Sequence, residues 1–352
     1  MILRRLSVLH YRNLQDATLS FPPGLCAVTG GNAQGKTNLL EAIDLVLTGR
    51  LDAPSLDTVV AFGETEAFVG ASLERDDGVS ELSVGLGRGR RVAKVDGARV
   101  NAAELARQAS AVWLRPEDAE LATGAPAARR RYLDALLQRL SARYGRLLDA
   151  YERVVAQRNA LLRAEGVNLD EALPVWDERL AEYGQELMLT RRRAVTRLTR
   201  LAREAHASLA PKTLEVTLKE TAEPDALLES LRGRRREESA RGLTLSGPHR
   251  DDLGLTLDGL DATRFASRGE ARTVALALRK AEFDLLHEKH SEPPLLLIDD
   301  YSAELDATRR DYLLNLATSV PQAIVTGTDA PEQAGAFYRM DAGRLLPGRG
   351  AA

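Results

Sequence analysis

The sequence predicts an α/β fold in which mixed β-sheets surround a phosphate-binding core, interrupted by an α-helical lobe built as an antiparallel hairpin. Three observations carry that expectation. Gly30-Gly31-Asn32-Ala33-Gln34-Gly35-Lys36-Thr37 follows an apolar, strand-like run and opens a helix. Leu295-Leu296-Leu297-Ile298 is a second apolar run, and it ends in two acids, Asp299 and Asp300. Between them, apolar residues recur at alternating spacings of four and three, as in paired long helices.

In chain order, residues 2–9 and 17–21 alternate apolar and polar and read as two strands. Tyr11-Arg12-Asn13-Leu14 lies between them, and Arg12 either approaches bound nucleotide or caps a surface turn. Leu25-Cys26-Ala27-Val28-Thr29 suits a buried parallel strand. The stretch after it fits G-x-x-x-x-G-K-[ST], the P-loop. Its glycines, Gly30 and Gly35 among them, let consecutive backbone N–H groups turn inward as an anion nest. Lys36 adds a point charge for the β- and γ-phosphates, and Thr37 offers a hydroxyl to Mg²⁺. Asn32 in the loop and Asn38 just past it complete the candidate nucleotide contacts. The helix from Asn38 to Leu47 aims its positive dipole end at the same phosphates.

Residues 66–100 read as a β-meander, with Asp77-Gly78 and Asp96-Gly97 as hairpin turns. Arg88-Gly89-Arg90-Arg91 is a basic tip, either solvated or in contact with phosphate. Residues 110–114 form another strand, and Pro116 either stops it or starts a helix at its first turn. From about Ala127 the pattern is long helix: Leu133, Leu137, Leu140, Tyr144, Leu147, Tyr151 and Val154 form one seam. A break at Glu165-Gly166-Val167-Asn168 precedes a second seam from Leu180 to Ala205. Two such helices make an arm of roughly 50 Å at 1.5 Å per residue. Its outer faces are expected to be arginine-rich: Arg129, Arg130, Arg131, Arg139, Arg143 and Arg146 on one helix. Arg191, Arg192, Arg193, Arg197, Arg200 and Arg203 follow on the other. Internal pairing accounts for most of them, but the stretch from Arg191 to Arg203 has few interleaved acids and is a candidate phosphate contact. Residues 232–241 are highly charged and expected to be mobile. They lead into Gly247-Pro248-His249-Arg250-Asp251-Asp252, the one motif-like setting of a histidine. The expected division is a head over 1–115, an arm lobe over 116–240 and the rest of the head over 241–352.

The chain has 352 residues, 44% of them hydrophobic and 28% charged, which suits a soluble globular protein of about two lobes. Its single cysteine, Cys26, permits no disulfide framework and fits a reducing, cytoplasmic setting. The N-terminus does not read as a signal peptide, and no apolar run approaches membrane-spanning length. A net charge of −3 gives no overall attraction to nucleic acid, so any DNA binding must come from local basic patches. No cysteine or second histidine has the spacing of a zinc site.

Three downstream stretches complete the nucleotide site. Asp299 would complete the Mg²⁺ shell that Thr37 begins, and Asp300 would orient or deprotonate the attacking water. Two adjacent carboxylates repel each other unless a cation compensates them. Ser267-Arg268-Gly269-Glu270 starts a helix running to about His287, and a serine cap beside a glycine leaves free N–H groups for an anion. Ser302-Ala303-Glu304-Leu305-Asp306 is another turn into a helix.

This order of motifs resembles the ATP-binding-cassette superfamily and, within it, the RecF family of bacterial DNA-repair proteins. The stretches that carry the likeness include Tyr11-Arg12-Asn13-Leu14, the P-loop with Asn38-Leu39-Leu40-Glu41-Ala42, Pro116-Glu117-Asp118, and Gly124 through Asp134. Gly247-Pro248-His249-Arg250-Asp251-Asp252 and Ser302 through Asp306 extend it over almost the whole chain. The resemblance implies an ATP-binding head with Mg²⁺, an ATP-dependent homodimer, DNA as partner, and RecR/RecO-type mediators and RecA as protein partners. Ser267 and Gly269 would take the signature-motif role, facing the other copy's ATP, and Asp306 would belong to the loop after the acid pair. No glutamine stands at Leu114-Arg115-Pro116, and Thr326 stands where transporters carry a switch histidine. Asp300 replaces the usual glutamate, and a misplacement near 1 Å can cost about a hundredfold in rate, so slow hydrolysis is expected. The rival readings are a transporter's ATPase subunit, another SMC-like ATPase, a nuclease-coupled ATPase and a small-molecule P-loop kinase. The arginine-faced arm and the missing glutamine and histidine argue against the first.

Overall fold

A computed structural model describes the chain except residues 52, 54, 77, 167, 303–305 and 349–352 and the side chain at 103. It divides into two compact units, Met1–Asp118 with Glu282–Ala352, and Ala119–Ala281. Residues 241–281 therefore group with the helical segment.

The first unit opens with β1 (Ile2–Leu9), β2 (Ala17–Ser20) and β3 (Gly24–Thr29), then α1 (Lys36–Thr48). The meander follows as β4 (Glu66–Arg75), β5 (Gly78–Gly87), β6 (Arg90–Val95) and β7 (Ala98–Val100), with the short α2 (Ala102–Leu105) and β8 (Ala111–Leu114). Asp96 and Gly97 both take positive φ, 48° and 81°, the requirement that marked this hairpin in the sequence. The other expected turn includes Asp77, which lies outside the described residues.

The second unit holds α3 (Glu120–Thr123), α4 (Pro126–Leu140), α5 (Ala142–Arg163), α6 (Leu169–Ala172) and α7 (Pro174–Ala207). After these come β9 (Leu214–Lys219), α8 (Leu227–Gly233), α9 (Arg235–Arg241), β10 (Asp252–Leu257), β11 (Leu260–Asp261) and α10 (Ala262–Phe265). The long α11 (Arg268–His290) leads to β12 (Leu295–Ile298), α12 (Ala307–Ser319), β13 (Gln322–Gly327), β14 (Ala336–Asp341) and β15 (Arg344–Pro347).

Two sheets build the first unit. One is antiparallel, in the order β2-β1-β4-β5-β6-β7; the other is mixed, in the order β15-β14-β3-β13-β12-β8. In the second, β14, β3, β13, β12 and β8 are all parallel. Strands β12 and β13 are buried at every residue, which is why they read as unbroken apolar runs rather than alternations. Leu39, Ile43 and Val46 of α1 bury fully in the core that also holds Leu6, Val28 and Leu73. Buried Gln322 stitches the N-terminal strand to this unit, donating to Leu3 O and Pro22 O and accepting from Leu3 N.

In the second unit, α7 is a single helix of 34 residues, about 50 Å long, and packs on α5. Its companion corrects the sequence expectation of one continuous helix: the chain breaks at Ser141, extended at φ −150°, whose hydroxyl caps α5 by accepting from Tyr144 N. A seam of leucines and tyrosines continues in register across such a break, so periodicity alone does not reveal it. Residues 232–241 also differ from expectation. They close α8 and form α9, held by Arg235 on Asp170 and Asp177 and by the fully buried Glu238 on Arg158.

The expected arginine faces need a larger correction. Arg129, Arg139 and Arg191 are buried. Arg129 forks onto Asp252 at 2.8 Å for both bonds, and Arg191 donates to Asp134, Tyr144 and Pro248 O. Arg192 pairs with Glu220 and Glu223, and Arg203 with Glu215. The acids missing between Arg191 and Arg203 arrive from β9 and the loop after it, 12 to 31 residues further along the chain.

Candidate nucleotide site

The P-loop strand β3 lies between β14 and β13, with β12 on the far side of β13. Its loop, Thr326 and the acid pair therefore emerge at the carboxyl ends of neighbouring parallel strands, where open α/β sheets hold ligands. Gly30 donates to Gly327 O at 3.2 Å, tying the first loop glycine to the end of β13. A Cβ at Gly30 would meet Met340 O at 2.4 Å, so only glycine fits. Gly35 caps α1 at φ 110°, and a Cβ there would crowd Asn13 Oδ1 at 2.9 Å.

Lys36 is buried and folds inward, donating to Gly30 O at 2.7 Å and Gly31 O at 2.8 Å. An ammonium has three donors, so the loop fixes two and leaves one for an anion in the nest. Asn32 is exposed at the loop tip, and Thr37 is exposed at the start of α1. Asn38 donates to Asn13 Oδ1 at 2.7 Å. Arg12 stands at φ 53° and forks onto Glu41 of α1 at 2.7 and 2.8 Å, with a further bond to Thr58 O. Arg12 thus braces the P-loop helix from the side.

Asp299 and Asp300 share one hydroxyl. Thr326, fully buried on β13, donates its Oγ1–H to Asp299 Oδ1 at 2.6 Å and accepts the Asp300 N–H at 2.9 Å. Asp300 sits at φ 49°, which turns it out of line with the strand. Asp299 is buried and has no cationic side-chain partner among the described residues. A buried carboxylate so placed, with the exposed Thr37 hydroxyl in the same unit, is an oxygen donor set that fits Mg²⁺. The Cys26 thiol beneath the loop is pushed up to about 12 by burial and is chemically inert.

Ser267 and Gly269 belong to the second unit. Ser267 N and Oγ both donate to Glu270 Oε2 at 2.8 Å, and Lys212 donates to the other carboxylate oxygen at 2.6 Å. The Lys212 bond, then those from Ser267, hold the Glu270 carboxyl down at about 2. In this capping box the Ser267 and Glu270 N–H groups, two of those expected to face an anion, are bonded to Glu270 Oε2 and Ser267 Oγ. Asp306 caps α12 by accepting from Arg309 N at 2.9 Å. The preceding residues 303–305 of that motif lie outside the described residues.

The sequence did not point to Asn13, Gln34, Gly343 or the bonding of Thr326. Gln34 Oε1 accepts from Ala342 N at 2.6 Å, and its carbonyl accepts from Gly343 N at 2.9 Å. Gly343 takes φ 78°, and a Cβ there would lie 1.8 Å from Asn13 O. The β14–β15 turn, the loop after β1 and the P-loop therefore clamp one another. The one available signal was Asn13, within a motif already noted; Gly343 is an isolated turn glycine with nothing in the local sequence to link it to the P-loop.

Comparison with known proteins agrees with this geometry. The family described as RecF/RecN/SMC N terminal domain matches residues 2–340. The chain is 56% identical to the DNA replication and repair protein RecF of Deinococcus radiodurans over 98% of this chain and 95% of that protein. It is 41% identical to the protein of the same description from Symbiobacterium thermophilum, covering 94% and 92%. Among solved structures, the recombination mediator protein RecF with ATP, from the RecFOR pathway, superimposes with a TM-score of 0.91 at 29% identity, covering 98% and 97% of the two chains. An Smc head bound to the C-winged helix domain of ScpA shares the fold, with a TM-score of 0.56 at 15% identity.

Proposed function

The chain belongs to the RecF family of DNA replication and repair proteins, and from that membership we propose that it is an ATP-driven dimerising switch that engages duplex or gapped DNA during recombinational repair. The observation that carries the reading is the P-loop clamp: a buried Lys36 held on two loop carbonyls, one strand from a threonine that binds both acids. Lys36, Thr37 and the loop N–H groups bind the triphosphate of one copy. Ser267 and Gly269 of a second copy close over it, so ATP is the adhesive of a two-fold dimer. Thr37 and Asp299 would hold Mg²⁺, which would supply charge neutralisation for the β- and γ-phosphates.

Asp300, at the end of β12 and tied through its N–H to Thr326, orients the attacking water. Its short side chain favours slow turnover, which suits a timer more than a motor. In the cytoplasm the closed dimer would act with RecR- and RecO-type mediators to place RecA at gaps, a role supported by likeness to a RecFOR-pathway protein. Relatedness over nearly the full chain argues against a transporter subunit or a small-molecule kinase. Among the described residues no helix is long and apolar enough to cross a membrane. Sedimentation with and without ATP tests the switch: the dimer fraction should rise with ATP, and a gel shift on duplex DNA should appear only with it. An unchanged monomer–dimer balance would end this reading.

A further inference from the structure

The turn Gly247–Asp252 has no part in the nucleotide chemistry, yet its side chains are densely bonded to the second unit. Gly247 is left-handed at φ 118°, and a Cβ there would strike Tyr151 Oη at 2.4 Å. His249 lies against Tyr151, its Nε2 3.2 Å from Thr244 O and its Nδ1 2.7 Å from the tyrosine hydroxyl. A carbonyl only accepts, so Nε2 carries the proton and Nδ1 accepts from Tyr151. Asp251 accepts from Thr221 N and Oγ1, and Asp252 is consumed by Arg129. Every polar side chain of the turn except one is directed into the fold.

That one is Arg250, which is exposed. Its Nε donates to Thr244 O at 2.9 Å, and no acid pairs with it among the described residues. Beside it, Arg130 donates through Nη1 to Asp251 O at 2.9 Å and likewise lacks an ion pair. The contrast with their neighbours is chemical. Arg129 and Arg191 have carboxylates, whereas Arg130 and Arg250 are held by neutral carbonyls, Asp251 O in the turn and Thr244 O just before it, and keep most of their donors. The acids that face Arg130, Asp252 and Asp134, are already spent on Arg129 and on Arg191 with Tyr144. Burial, with Arg191 and Arg250 nearby, lowers the Arg130 guanidinium from its usual value, and burial with the same three arginines lowers His249 to about 4. The histidine is therefore neutral, and Asp251, the remaining nearby acid, is buried, bonded to Thr221 and 3.9 Å from Arg191, so neither Arg130 nor Arg250 has an ion pair of its own among the described residues.

We propose that Arg130 and Arg250 form a preorganised phosphodiester clamp through which this helical unit grips the DNA backbone. A guanidinium fork matches two non-bridging phosphate oxygens, and fixing it beforehand on a carbonyl removes ordering entropy from binding. The proposal rests on the reading of the protein as an ATP-dependent DNA binder, and it names two arginines of this unit that no acid occupies and that neutral carbonyls hold in place. Arg192 and Arg203, occupied by their own acids, are not.

The test is the salt dependence of ATP-dependent binding to a 30-base-pair duplex for the full chain, Arg130→Gln/Arg250→Gln, Arg130→Lys/Arg250→Lys and Arg192→Gln/Arg203→Gln. Each phosphate contact contributes about 0.9 to the slope of log K against log salt, so the first double variant should lose about 1.8. The lysine pair should keep most of the slope, and the Arg192/Arg203 variant should match the parent. An unchanged slope in Arg130→Gln/Arg250→Gln overturns the clamp, including the case where only partner-protein binding falls. Wild-type protein that fails to bind duplex with ATP overturns the underlying reading instead, and the clamp with it. Unchanged thermal midpoints and ATP-dependent dimerisation in the variants separate a lost contact from a lost fold.

Discussion

Thr326 shows how much a single buried hydroxyl can organise. It serves as donor to one carboxylate and acceptor for the next residue's amide, so it fixes the Asp299 carboxylate and the Asp300 backbone beside it. Thr326→Val keeps the shape and removes both bonds. It should cost about 1–3 kcal/mol, because the Asp300 N–H loses its acceptor in a buried setting. Urea unfolding measures that loss directly. ATP affinity, which rests on Lys36 and the loop amides, should hold, while hydrolysis falls as Asp300 loses its anchor. A variant with parental stability and parental turnover would refute the linking role of Thr326. The P-loop itself was legible because all its atoms come from contiguous residues, so its spacing is its geometry. Asn13, Thr326 and Gly343 were not, since strand order alone brings them to the loop, from positions about 20 residues before it and 300 after it.

At the level of elements, the second unit is held by charged groups that the sequence presents as surface. Arg158 of α5 is completely buried and reaches Asp177 of α7, Glu238 of α9 and Thr244 with three separate nitrogens, each within 2.9 Å. Such a triad gives little net stability over apolar packing, but losing its cation leaves buried anions. Arg158→Met should therefore destabilise by about 3 kcal/mol, somewhat relieved because Asp177 keeps Arg235 and Glu238 keeps the Leu245 amide. Thermal unfolding of the variant, compared with Arg158→Met/Asp177→Leu/Glu238→Leu, checks this; the triple variant should recover much of the loss. Helical periodicity located α7 and the strands of the first unit, because apolar spacing follows from backbone geometry. It could not find the Ser141 break, nor distinguish Arg129 and Arg191 inside from Arg192 outside. Arginine carries the same letter whether solvated or neutralised by an acid from another element.

For the whole molecule, a net charge of −3 and an arm whose arginines mostly neutralise its own acids make a single copy a poor DNA ligand. Two copies joined over ATP would double the free cations that remain and place them under one control. Symmetry makes that claim testable without structure. In the proposed two-fold dimer each pocket would take Lys36 from one chain and Ser267 from the other. Lys36→Ala should therefore damage the phosphate half of both pockets, and Ser267→Arg the covering half of both. Neither variant alone should trap ATP in a closed dimer. Mixed in equal amounts, about half of the dimers pair one of each, and each mixed dimer has one pocket with both halves intact. Nucleotide trapped per chain should then return to about a quarter of the parental level. Recovery requires the pocket to be shared, since chains with self-contained sites would stay inactive however they were combined. A mixture that forms dimers and still traps nothing would mean that each copy keeps its triphosphate to itself.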